Sequence, residues 1–84
     1  MNIIFSSKSW EDYLYWQQMD KKTIKRINEL IKDIMRHPFS GIGKPEPLKH
    51  NLTGFWSRRI TDEHRLVYRV TEKGLEIASC RFHY

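Results

Sequence analysis

The sequence predicts an α+β chain in which two N-terminal helices pack on one face of an antiparallel β-sheet. Three observations point there. Ile24, Ile27, Leu30, Ile31 and Ile34 recur at helical spacing. Leu66, Tyr68 and Val70 alternate with other residues at the two-residue period of a strand. Residues 61–64 and 72–74 are turn-forming and divide the C-terminal half into two consecutive hairpins. Two amphipathic helices can bury their apolar stripes on only one face of such a sheet, which leaves the other face open.

Taken in order, Ile3, Ile4 and Phe5 form a short apolar run bounded by serine, as expected for a brief buried strand. Ser7 or Ser9 can cap a first helix carrying Trp10, Tyr13, Leu14 and Trp16, with residues 17–20 as the break after it. Asp20 can cap the second helix, and Pro38 terminates it. Lys21, Lys22, Lys25, Arg26, Lys32 and Arg36 form its outer face, which reads first as a solvated surface and second, compatibly with the first, as a landing strip for an RNA backbone. Residues 39–49 hold Gly41, Gly43, Pro45 and Pro47 and are expected to be a loop stiff enough to hold a side chain in place. Strands are expected over residues 55–60, 65–71 and 75–84. If Leu66, Tyr68 and Val70 face the helices, Arg65 and Arg69 point to the open face and make it a basic groove.

A chain of 84 residues has room for one domain, residues 1–84, and excludes an enzyme with a separate cofactor domain. Hydrophobic residues at 39% can fill a modest core, while charged residues at 30% describe a solvated surface. A net charge of +5 favours polyanionic or acidic partners without choosing among nucleic acid, membrane and protein. Cys80 is the only cysteine, which excludes an internal disulfide or a CxxC pair and suits a reducing compartment. The N-terminus lacks the apolar region of a secretory signal, and no stretch has the length of a membrane span, so a cytoplasmic location is expected.

Chemistry must then come from isolated side chains. RNA can be cut without a metal because its own 2′-hydroxyl attacks the adjacent phosphorus, given a base, an acid for the leaving oxygen and positive charge for the transition state. Glu46, set between Pro45 and Pro47 and flanked by Lys44 and Lys49, is the best carboxylate for a positioned base, although an exposed loop glutamate has the same local sequence. His83 is the candidate acid, on what is expected to be the last strand. Tyr84 follows it. Alone, either residue also reads as an exposed terminal side chain. Arg65, with Arg59 or Arg58 and with Lys49, could clamp a phosphate; ion pairing of Arg65 with Asp62 or Glu63 is the competing use. His37, His50 and His64 lack the spacing of a zinc site, and neither GxGxxG nor GxxxxGK[ST] occurs, so no metal and no nucleotide cofactor is expected. Trp10, Trp16 and Trp56 are expected to serve the core or an interface rather than stack bases.

The combination of motifs carries further than any one of them. The run KPEPLKHNL from Lys44, GFWSRRI from Gly54, EHRLVY from Glu63, the closing His83 and Tyr84, and SWEDYLYW from Ser9 together resemble the YoeB toxins of the RelE-like superfamily over essentially the whole chain. That resemblance implies a microbial RNase fold and cutting of messenger RNA in the ribosomal A site. It implies Glu46 as general base, His83 as general acid and Arg65 as phosphate stabiliser, supported by Lys49, Arg59 and Tyr84. It also implies a dimer and an antitoxin of the YefM kind, whose acidic, disordered C-terminal segment would cover the basic site, with operator DNA bound only by the pair. Two readings compete with it: a noncatalytic, ParE-like inhibitor of DNA gyrase, and a basic module that grips RNA without cutting it.

Overall fold

The computed structural model describes residues 1–84. In chain order it contains strand β1 (Ile3–Phe5), helices α1 (Ser7–Met19) and α2 (Lys21–Arg36), a two-residue strand β2 (Glu46–Pro47), a 3-10 turn (His50–Leu52), and strands β3 (Trp56–Arg59), β4 (Arg65–Thr71) and β5 (Gly74–Ser79). The five strands form one sheet in the order β1-β5-β4-β3-β2.

Both helices begin on polar caps. Ser6, rather than Ser7 or Ser9, caps α1: its extended backbone turns Oγ to accept the Ser9 N–H at 3.1 Å. Ser9 instead points inward and donates to the Ile77 carbonyl at 2.7 Å, tying the helix to β5. The break between the helices is a single residue. The Asp20 N–H closes α1 on the Trp16 carbonyl, while its carboxylate accepts the N–H groups of Lys22 and Thr23 at the start of α2, as its position in the sequence predicts. Pro38 disfavours helical geometry in the residue before it, and α2 ends at Arg36.

The expected apolar stripe is the core. Ile27, Leu30 and Ile34 are fully buried against Leu66, Tyr68, Leu75 and Ile77 of the sheet, with Trp16 added from α1. Trp10 and Leu14 of α1 remain exposed, so that helix contributes far less than its apolar content suggests.

The sheet departs from expectation in direction and at its edges. β3, β4 and β5 form the antiparallel meander, but β1 runs parallel to β5, with Ile3 opposite Leu75 and Phe5 opposite Ile77, so the sheet is mixed. Local periodicity identifies a strand and carries nothing about the direction of its neighbour. Ile3 and Ile4 are 45% and 37% exposed, because a three-residue edge strand is covered on one side only. Glu46 and Pro47, expected in a loop, form the opposite edge, an outer position that tolerates proline's missing N–H.

The expected open basic face is only partly realised. A bulge interrupts the register between Val67 and Tyr68, and both Val67 and Arg65 are buried. Arg69 is exposed and lines a separate depression with Ile4, Phe55 and Glu76, where its charge is already paired: its Nε donates to Glu76 at 2.8 Å, and its guanidinium lies 4.9 Å from the Phe55 ring centroid.

Of the two arginines offered as partners of Arg65 in a phosphate clamp, Arg58 is excluded. Its side chain is fully buried on the helix-facing side of β3. Nη1 donates to Asp33 at 2.6 Å and to the Ile42 carbonyl, Nη2 donates to the carbonyls of His37 and Ser40, and Nε donates to the Tyr68 hydroxyl. The guanidinium therefore organises the segment between α2 and β2. Gly41, at φ 118°, is required where that segment passes Asp33, because a Cβ there would lie 2.0 Å from the carboxylate oxygen that Arg58 uses.

Two ion pairs and one helix cap set the response to acid. The Arg58 hydrogen bond holds the Asp33 carboxyl below the usual carboxylate range, hydrogen bonds from Arg69 and Thr71 do so for Glu76, and the Thr23 side chain does so for Asp20. A carboxyl depressed in the folded state adds stability that is present above its unfolded value and lost as pH falls through the folded one. Stability is therefore expected to decline below about pH 4, where unfolded carboxyls begin to take up protons. Denaturation midpoints across pH 2–7 should show Glu76→Gln declining less steeply than wild type, and identical slopes would remove Glu76 from the explanation.

Candidate active site

Three separate stretches of chain meet at the β2 side of the sheet. The β2–β3 register sets Glu46 opposite Ser57, and the β3–β4 register sets Arg59 opposite Arg65. Two-residue alternation along β3 directs Ser57 and Arg59 to the face opposite buried Arg58. The C-terminal residues close the third side. A cleft of about 170 Å³ results, lined by Glu46, Arg59, Arg65, His83 and Tyr84 together with Lys44 and Ser57. Three cations and one carboxylate give it a positive balance.

Lys49 does not line this cleft. It lies in an adjoining depression of about 450 Å³ that shares Glu46 and Tyr84 with it. A polymer seated over Glu46 and Tyr84 would lie across both.

Arg65 is 8% exposed and is fixed by its own turn. Nη1 donates to the carbonyls of Thr61, Asp62 and His64 at 2.7, 3.1 and 3.1 Å. Those contacts use main-chain oxygens, and Arg65 forms no ion pair with the carboxylates of Asp62 or Glu63. All three bonds engage Nη1, which leaves Nη2 and Nε for an anion. Arginines paired across neighbouring strands repel one another, so Arg59 opposite Arg65 is an arrangement that a bound polyanion would relieve.

His83 and Tyr84 reach the cleft from outside the sheet. β5 ends at Ser79, not at the C-terminus as expected, and residues 80–84 form an irregular tail. Buried Asp12 accepts the Cys80 N–H at 3.0 Å, and Trp16 Nε1 donates to the Cys80 carbonyl at 2.9 Å. Arg81 stacks on Tyr15, its guanidinium 3.5 Å from the ring centroid. Helix α1 thus anchors the start of the tail. Burial pushes the Cys80 thiol up to about 12, which keeps it protonated and unreactive near neutral pH.

The structure thus brings Glu46, Arg65, His83, Tyr84 and Arg59 into one cleft, sets Lys49 beside it and removes Arg58 to the core. Lys44 and Ser57 are the additions. Ser57 was available from strand alternation, two residues before Arg59. Lys44, which flanks Glu46 in sequence, takes its place from a left-handed backbone at φ 51° that no local pattern announces. No three His, Cys, Asp or Glu side chains converge anywhere in the chain, and no helix is long and apolar enough to cross a membrane.

Comparison with known proteins accords with this arrangement. Residues 5–84 match the model of the YoeB-like toxin of bacterial type II toxin-antitoxin system. Toxin YoeB of Escherichia coli K12 is 69% identical over 84 residues, covering 100% of both chains. Two solved structures from Staphylococcus aureus superpose closely: a YoeB-YefM complex at TM-score 0.92 and 58% identity, and a YoeB dimer at TM-score 0.93 and 59% identity. Each covers 100% of this chain and 98% of the other. The architecture is the α+β, RelE-like microbial RNase fold. With a family match across nearly all of its length and a relative identical at more than two positions in three, the chain belongs to the YoeB-like toxins of bacterial type II toxin-antitoxin systems.

Proposed function

We propose that the cleft is the active site of a ribosome-dependent endoribonuclease that cuts messenger RNA by acid–base transesterification, its residues supplying base, acid and charge without a metal. The observation that carries this reading is the convergence of a carboxylate, a buried arginine with free donors and an imidazole, from distant parts of the chain, on one basic cleft.

In this mechanism Glu46 takes the proton of the 2′-hydroxyl, whose oxygen attacks the adjacent phosphorus. Negative charge builds on the non-bridging oxygens and is met by Nη2 and Nε of Arg65, with Arg59, and with Lys49 along the neighbouring depression. His83 donates a proton to the departing 5′-oxygen, and Tyr84 lies beside it against the substrate. The products are a 2′,3′-cyclic phosphate and a 5′-hydroxyl. A messenger on the ribosome is a cytoplasmic substrate, and cleavage there would stop translation.

The structures of the S. aureus relatives, one a dimer and one a complex with YefM, support two further assignments for this chain: a homodimer, and an antitoxin of the YefM kind that covers the basic cleft. Operator DNA would then be bound by the pair.

The test is cleavage by purified protein of a programmed ribosome in the presence of EDTA, with the RNA ends mapped. Cuts within the A-site codon that leave cyclic or 3′-phosphate ends are the expected result. Folded protein that arrests growth while leaving transcripts intact would overturn the reading in favour of a gyrase-directed inhibitor, and salt-dependent RNA binding without new ends would favour a binding module.

A further inference from the structure

His83 and Tyr84 lie beyond the last ladder hydrogen bond of β5, so contacts other than sheet pairing must fix them. Anchoring by α1 acts on Cys80 and Arg81. Between that point and His83 stands Phe82, exposed and at φ 65°. A bulky residue adopts this left-handed conformation only where its surroundings impose it.

Two hydrogen bonds impose it here, one on each side of the residue. The Arg65 N–H donates to the Phe82 carbonyl at 3.0 Å, and the Phe82 N–H donates to His64 Nδ1 at 2.7 Å. The first comes from the main chain at the start of β4 and survives any side-chain change. The second depends wholly on one imidazole. A main-chain N–H can only donate, so Nδ1 must present its lone pair and the ring proton must sit on Nε2.

His64 is itself held in place. Its N–H donates to Thr61 Oγ1 at 3.2 Å, its carbonyl accepts from Ile60 N–H, Thr61 N–H and Arg65 Nη1, and its ring stands edge-on to Trp16 with centroids 4.8 Å apart. Trp16 is the same side chain whose Nε1 holds the Cys80 carbonyl. The imidazole thus links the helix-anchored start of the tail to the Arg65 turn.

We propose that His64 is a positioning residue for the active site: its Nδ1 accepts the Phe82 N–H, fixes the left-handed turn before His83 and thereby sets the imidazole of His83 within the cleft. This rests on the RNA-cutting reading above. His64 does not touch the substrate; it acts through the tail. Displacement of a catalytic group by about 1 Å costs on the order of 100-fold in rate, so loss of this contact should appear in the chemical step rather than in RNA affinity.

The test compares His64→Leu, which removes the acceptor, with His64→Asn, whose Oδ1 can occupy nearly the same place, in single-turnover cleavage of a programmed ribosome. Leu is expected to lower the maximal single-turnover rate constant about 100-fold with the half-saturating ribosome concentration little changed, and Asn to restore most of it, a rescue that a purely structural role for the ring would not produce. In parallel, nitrogen-15 spectra of the wild-type protein at neutral pH should show an unprotonated Nδ1 coupled through the hydrogen bond to the Phe82 amide. A protonated Nδ1, a folded Leu variant cutting at the wild-type rate, or an Asn variant that is no better than Leu would each overturn the proposal. The spectrum reads the contact whether or not RNA is cut. A wild-type protein that cuts nothing would therefore defeat the functional reading alone, and a protonated Nδ1 the positioning role alone.

Discussion

Glu46→Gln is expected to slow cleavage by about 10²- to 10⁴-fold, the range that a positioned general base contributes. The substitution keeps shape and hydrogen-bonding capacity while removing the basic carboxylate. It should leave the fold intact, because Glu46 is exposed on an edge strand and its side chain takes part in none of the three ion pairs in the structure. RNA affinity should be maintained or rise, since one negative charge leaves a cleft that otherwise holds Lys44, Arg59 and Arg65. His83→Gln should give a loss of similar order through the leaving-group step. The decisive comparison is single-turnover rate against thermal midpoint. A Glu46→Gln protein that unfolds normally and cuts at the wild-type rate would place the base elsewhere.

Arg58→Met should cost about 3–5 kcal/mol, the usual penalty for removing one partner of a buried ion pair. The loss has identifiable parts: the carbonyls of His37, Ser40 and Ile42 and the Tyr68 hydroxyl lose their shared donor, and Asp33 is left facing the gap. Burial raises the Tyr68 hydroxyl above its ordinary range, so it cannot compensate by ionising; it stays neutral and keeps its own bond to the Pro38 carbonyl. Against a total stability of about 5–15 kcal/mol, such a loss brings the protein near the edge of folding. Thermal denaturation should show a fall of more than about 10 °C for Arg58→Met. Arg59→Met, one residue further on an exposed position, should barely move the midpoint while weakening RNA binding. Equal midpoints for the two variants would mean that Arg58 does not organise the α2–β2 segment.

That pair of arginines marks the boundary between what could be read and what could not. Arg58 and Arg59 are the same residue type in adjacent positions, and strand alternation says only that they face opposite ways. Which one lies under the helices is decided by the register with β4, where Arg58 meets Leu66 and Arg59 meets Arg65. The turn before β4 made Arg65 a buried but accessible donor, and the β4–β5 register, which sets Arg69 opposite Glu76, paired those two side chains.

Local chemistry did determine a good deal. The helix of residues 21–36 was legible from its apolar period, its Asp20 cap and Pro38, and the meander from its alternation and turns, because hydrogen-bond geometry and backbone preference act within a few residues. The motifs around Glu46, Arg65 and His83 identified the family and nominated the residues that the cleft collects. Tertiary structure alone decided the parallel pairing of β1 with β5, the exposure of Ile3 and Ile4, the short β2 edge that carries Glu46, and the departure of the last five residues from the sheet toward the cleft. Each of these rests on contacts between residues far apart in the chain, such as Asp12 with Cys80 and His64 with Phe82, and free energies of that kind arise only once the chain has closed on itself.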